Sequence, residues 1–135
     1  MIKPVASLKP TQQSDDAKNL NSSILPGQCR WAIFDRKTRV LYFGPSDVYI
    51  HMTVAEYSGV LGNRPEYYQS GGNILGGLLC CSTDGYFYYD PFSGTFPGTN
   101  EGVEDAEKAL EEICKMQAWK FMKYCDVPRD YLAYR

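Results

Sequence analysis

The spacing of hydrophobic and polar positions shifts repeatedly along the chain, and each shift predicts a different element. Arg30 to Phe34 and Arg39 to Phe43 are β-rich runs separated by the polar stretch Asp35 to Thr38, the pattern of an antiparallel hairpin. Gly44 and Pro45 end the second run, because proline lacks a backbone donor and restricts the residue before it. The next stretch, "SDVYIHMTVAEYSG", fits two templates. As a helix, it takes Ser46 as N-cap, sets Asp47 against the positive end of the macrodipole and stops at Gly59. As a strand, it turns Val48, Ile50, Met52 and Val54 inward and Tyr49, His51 and Thr53 outward. Agreement between the start and stop signals favours the helix.

"GNRPEYYQSGGNILGG" reads as a loop, with Gly71, Gly72, Gly76 and Gly77 bracketing Asn73 to Leu75. "LLCCSTDGYFYYD" then pairs two β-prone runs across Asp84-Gly85, a dipeptide suited to a type I′ turn in which both central residues take positive φ. Asp90-Pro91 and Ser93-Gly94 predict a further turn, and Thr95 and Phe96 a short edge strand limited by Pro97. From Gly102 to Asp126, Leu110, Cys114, Ala118, Phe121, Met122 and Cys125 recur at steps of three and four, with charged residues between them. That is the signature of one long amphipathic helix with Cys114 and Cys125 both facing the core. Its acids crowd the start and Lys115, Lys120 and Lys123 the end, as the dipole favours.

The predicted fold is α+β, an antiparallel sheet of about four to five strands with one short helix and a long C-terminal helix packed on one face. Residues 1–28 follow neither period and read as an extended or disordered N-terminal arm, which leaves 29–135 as a single α+β domain. A chain of 135 residues is long enough to build one core without staples.

Composition removes several functional classes. A net charge of -2 supplies no basic field, so direct nucleic-acid binding is not expected. No segment approaches the roughly 20 apolar residues of a membrane span, and the first residues lack a signal-peptide core, so neither membrane insertion nor export is expected. The five cysteines are odd in number and form no C-x-x-C pair, which predicts neither a disulfide framework nor a zinc site and favours a reducing cytoplasm. Adjacent Cys80 and Cys81 should point to opposite sheet faces, one in the core and one partly exposed. "GGNILGG" lacks the Lys-Ser/Thr pair of a phosphate loop, and no cofactor or metal is implied.

His51 is the one histidine. On the helix template Asp47 lies four residues before it, which accounts for the pair as a surface interaction and gives His51 a solvent-facing or partner-facing role. The enzymatic alternative is a small enzyme or ligand-binding domain with a site around Ser46, His51, Glu56 and the 71–77 glycine loop.

Two features carry the leading expectation. "YFYYDPFSGTF" crowds Tyr86, Phe87, Tyr88, Tyr89, Phe92 and Phe96 into one region, more rings than a single sheet face buries. "NEGVEDAEKALEE" sets six acids against Lys108 alone. Together they predict a small non-enzymatic protein that engages, as an inhibitor in one version, a larger protein with a basic surface. The contacts expected are Tyr86, Tyr88, Tyr89, Phe92, Glu104, Glu107 and Glu111. A further alternative is self-association through the aromatic hairpin into a homodimer with an assembly role. In general style the chain resembles small accessory proteins of phages and mobile elements, although it carries no family's motif.

Overall fold

A computed structural model describes residues 5–10, 24–44, 50–59, 73–93 and 96–133, apart from the side chain of Met52. Its frame is a five-stranded, wholly antiparallel sheet in the order β1-β3-β2-β4-β5, formed by β1 (Ala6–Leu8), β2 (Cys29–Asp35), β3 (Val40–Phe43), β4 (Ile74–Cys81) and β5 (Phe87–Asp90). Two helices join it, α1 (His51–Ser58) and the long α2 (Asn100–Gln117). The mixed α+β class, the sheet and the long helix on one face are as the hydrophobic pattern predicts.

The hairpin β2–β3 forms where expected. Arg39 sits at φ 60 and donates its N–H to the Asp35 carbonyl, while the Asp35 carboxylate accepts from the Lys37 N–H. The β4–β5 hairpin also forms, but around a different turn. Gly85 alone has positive φ, and its N–H donates to the Ser82 carbonyl. Ser82 and Tyr86 then close the ladder, with the Ser82 N–H donating to the Tyr86 carbonyl at 2.8 Å. This is a longer loop ending in a left-handed glycine, in place of the two-residue type I′ turn. The Ser82 hydroxyl accepts from the Tyr86 N–H and donates to Asp84, giving the longer loop its own side-chain support.

Part of the 1–28 leader belongs to the sheet. Residues 6–8 pair with β3, and Val5, Leu8 and Ile24 are buried. Residues 11–23 lie outside the described residues.

Both faces of the sheet are covered. Along one runs α2, whose Ala106, Ala109, Leu110, Ile113 and Cys114 pack on Phe34, Phe43, Leu75, Leu79 and Tyr89. On the other, Val54 and Ala55 of α1 meet Ile33, Ile74 and Phe96, while Val127 and Ala133 of the C-terminal segment close over Leu78, Cys80 and Tyr88. With both faces covered, every residue of β4 is buried. That corrects the loop reading of the glycine-rich stretch: Gly76 and Gly77 lie inside β4, and Gly71 and Gly72 fall outside the described residues. A strand buried on both faces loses the alternation that marks a half-exposed one, so its sequence reads as an apolar run broken by glycines. Thr95 is likewise not described, and Phe96 reaches the sheet by its carbonyl, which accepts from the Gly76 N–H at 2.7 Å, without forming a strand.

Helix boundaries differ from expectation in two places. α1 starts at His51 with Ile50 as an N-cap that makes no side-chain bond, so Ser46 does not cap it; Ser46 and Asp47 lie outside the described residues. Its end is the expected Gly59, left-handed at φ 75. α2 begins at the Thr99 cap, whose hydroxyl accepts from the Gly102 N–H, and stops well short of Asp126. Ala118 takes φ 59, its N–H donates to the Lys115 carbonyl, and the Trp119 N–H reaches back to Cys114. These are the paired bonds of a Schellman ending. The chain then turns so that residues 120–122 pair with the free edge of β5: the Phe87 N–H donates to Lys120 and the Met122 N–H to Phe87. Phe121 and Met122 therefore keep apolar contacts without being helical, and Cys125 is exposed instead of facing the core.

Cys29 stands directly opposite Cys80 in the β2–β4 register, their Cα atoms 4.1 Å apart, and the two form a disulfide. This corrects the prediction of no disulfide. Cysteines 51 residues apart show no pairing motif, and only strand register brings them together. Cys81, on the other face, is buried and free. Neither of the adjacent cysteines is thus the partly exposed thiol expected.

Candidate functional site

The acids of α2 divide into two rows. On the side facing the β2–β3 hairpin, Arg36 pairs with Asp105 at 2.7 Å and lies 3.6 Å from Glu101, and Arg39 pairs with Glu112 at 2.5 Å. This row ties the hairpin turn to the helix. On the other side Glu104, Glu107 and Glu111, together with Lys108, Phe121 and Lys123, line a groove of about 320 Å³. Glu107 is partly committed, since its carboxylate accepts the Tyr124 N–H at 3.0 Å and anchors the segment that forms the far wall. Glu104 and Glu111 are exposed and make no ion pair among the described residues. The groove offers an apolar floor at Phe121 and a rim of three carboxylates and two ammonium groups.

The aromatic candidates are separated by the fold. Tyr88 and Tyr89 are buried at 1% and 0% exposure. Tyr88 lies under the C-terminal segment, where its hydroxyl accepts the Ala133 N–H at 2.7 Å and its ring stacks on Tyr124; Tyr89 lies under α2. The expected surplus of rings is absorbed because the sheet has two covered faces and adjacent residues of β5 supply one each. Tyr86 stays half-exposed with the Lys120 ammonium, one residue before Phe121 in the chain, 5.3 Å from its ring centroid. Phe92 is 51% exposed but belongs to the opposite face, its ring 6.3 Å from that of Trp31.

A second cluster gathers around His51, which is 4% exposed and so does not face solvent. Nε2 lies 2.6 Å from the Gly77 carbonyl and Nδ1 3.2 Å from the Ser93 hydroxyl, and Trp31 meets the ring edge-on at 4.7 Å. A carbonyl can only accept, so Nε2 carries the hydrogen. In the neutral ring Nδ1 is then the acceptor and Ser93 the donor. Glu56 is exposed and is not among these partners, and Ser46 lies outside the described residues. Ser93 escaped the sequence reading because it lies 42 residues from His51, and its only local signal was the Ser-Gly turn.

Burial holds the His51 pKa below its ordinary 6.5, the Gly77 bond opposing this in part. The unfolded chain therefore takes up a proton that the folded chain refuses. Stability should be fully present above about pH 6.5 and fall as pH drops from there toward the lower folded value, by at most about 1.4 kcal/mol per pH unit. Urea midpoints at neutral and mildly acidic pH should show this fall in the wild type and a smaller one in His51→Gln. Equal falls would remove His51 as the cause.

Among the described residues, no helix is long and apolar enough to cross a membrane, and no group of three or more His, Cys, Asp or Glu side chains is placed to hold a metal. Comparison with known proteins matches no family, no curated protein and no solved structure to this chain.

Proposed function

We infer that the chain is a small binding protein that engages a larger partner through the groove beside α2, with Tyr86 as a further contact. The supporting observation is the division of the acids: one row is consumed by Arg36 and Arg39, while the other lines a groove floored by Phe121. A complementary partner segment carries Lys or Arg to meet Glu104 and Glu111, and an apolar side chain to cover Phe121. Occupying such a segment blocks whatever else it binds, which is how inhibition would arise. The reading extends to a cytoplasmic setting, where Cys29 and Cys80 would be held as thiols. The disulfide packs on the sheet face away from α2, so the groove does not depend on it.

The test is titration of a fluorescent peptide alternating Arg and Leu against the wild type and a Glu104→Lys/Glu111→Lys variant at low and moderate salt. Glu107 is left unchanged because it also holds the Tyr124 N–H. Exposed charge contacts contribute about 0.2–1 kcal/mol each, and reversal adds repulsion, so affinity should drop on the order of tenfold at low salt, with a smaller difference at higher salt. Unchanged affinity at low salt would eliminate the electrostatic contact.

A further inference from the structure

We propose that Ser93 is a nucleophile activated by His51, acting on activated acyl or phosphoryl esters whose apolar group rests against Phe92 and Trp31. This is independent of the α2 groove, which lies on the other side of the sheet.

The cluster contains the three parts that nucleophilic catalysis requires: a hydroxyl, a base within hydrogen-bond reach, and a third group that orients the base. The Gly77 carbonyl is the orienting group. Its 2.6 Å bond to Nε2–H fixes the tautomer and turns the Nδ1 lone pair to the Ser93 hydroxyl at 3.2 Å. The hydroxyl oxygen is itself held in place, because it accepts the Phe96 N–H at 2.9 Å. Burial keeps the imidazole neutral, the state in which it can take a proton.

The strand beneath is shaped for the pair. A Cβ at Gly76 would stand 2.5 Å from the Ser93 oxygen and 3.2 Å from the His51 ring, so their close seating on β4 requires glycine there. His51 is enclosed, while Ser93 is half-buried beside Phe92, which is 51% exposed. The residue that carries the nucleophile is thus only partly covered, while the base is shielded from water. Trp31 contacts the His51 ring and lies near Phe92, which makes this approach aromatic on two sides.

In the acyl case the Ser93 oxygen bonds to the carbonyl carbon while its proton passes to Nδ1. The leaving group departs with the electron pair of the broken ester bond and receives that proton. Water, deprotonated by the same nitrogen, then hydrolyses the acyl-serine and restores the hydroxyl.

An alkyl fluorophosphonate tests the first half directly. The Ser93 oxygen would bond to phosphorus, fluoride would leave with the electron pair of the P–F bond, and the hydroxyl proton would pass to Nδ1. Folded wild type should acquire one adduct, mapped to Ser93 by peptide mass, and Ser93→Ala should acquire none. His51→Gln, with folding verified by circular dichroism, should label at least about 100-fold more slowly. The urea-unfolded wild type provides a second comparison that needs no variant, and it should not label at Ser93. Absence of an adduct at Ser93 in the folded protein would overturn the proposal, as would equal labelling of the unfolded chain or of folded His51→Gln.

Discussion

A Cys29→Ala/Cys80→Ala variant is expected to be about 4 kcal/mol less stable than the oxidised wild type. On the chain-entropy account, a cross-link between residues 51 apart removes about that much conformational freedom from the unfolded chain. The native fold loses little in return, because β2–β4 register already sets the two residues opposite each other. Typical domain stability is about 5–15 kcal/mol, so this change is a large share of the total. At this size it corresponds to a lower melting temperature by on the order of 15 °C. Urea unfolding of three samples checks it. Reduced wild type and the alanine variant should share a midpoint well below that of the oxidised protein; three coincident midpoints would mean that the bond contributes nothing.

Thiol counting gives an independent reading. Cys81, Cys114 and Cys125 are free, so three thiols should titrate in the unfolded oxidised protein and all five after reduction. Cys81 and Cys114 contribute little to thiol exchange in the folded state, where both are buried. Burial pushes the Cys81 thiol up to about 11 and the Cys114 thiol up to about 12, which leaves almost no thiolate to attack the bond at neutral pH.

Gly77→Ala should cost at least about 3 kcal/mol, the upper end of overpacking effects. The added Cβ would lie 2.3 Å from the Tyr89 ring and 2.7 Å from the Asp90 carbonyl oxygen. The ring belongs to a fully buried tyrosine with nowhere to retreat, and the carbonyl is part of β5. Gly76→Ala should be milder in its effect on the fold, since the closest atom the Cβ meets there is the Ser93 hydroxyl, which can rotate away, leaving the Ser93 Cβ at 3.0 Å and the His51 ring at 3.2 Å to give by a few tenths of an ångström. Adding Tyr89→Leu to Gly77→Ala should recover only part of the loss, because it removes the ring but leaves the Asp90 oxygen. Thermal melts of the single and double variants would decide, and a Gly77→Ala protein as stable as the wild type would show that the tyrosine does not lie across the strand.

The two candidate sites differ in how far they were legible in the sequence. Glu104, Glu107 and Glu111 recur at helical spacing, so their shared face follows from period alone. What period could not show was that Glu101, Asp105 and Glu112 would be taken by Arg36 and Arg39, about 70 residues away in the chain. The His51 site was misread for a related reason. A histidine in an amphipathic stretch looks exposed when its neighbours are polar, but its partners are a carbonyl of β4 and a serine after β5.

Local chemistry determined most element types: β-branched and aromatic runs made β2, β3 and β5, apolar spacing of three and four made α2, and Gly59 and Gly85 ended a helix and a turn. Those effects act within a few residues and are present in any arrangement of the chain. Tertiary structure alone decided that β4 would be covered on both faces, which buried Tyr88 and Tyr89 and turned a glycine loop into a core strand. It also decided that α2 would end at Ala118, where the open β5 edge gains backbone partners from residues 120–122 that a continued helix would withhold. Burial and strand register depend on contacts between distant segments. Folding therefore sets Cys29 opposite Cys80, and the Ser93–His51 pair exists only in the folded chain.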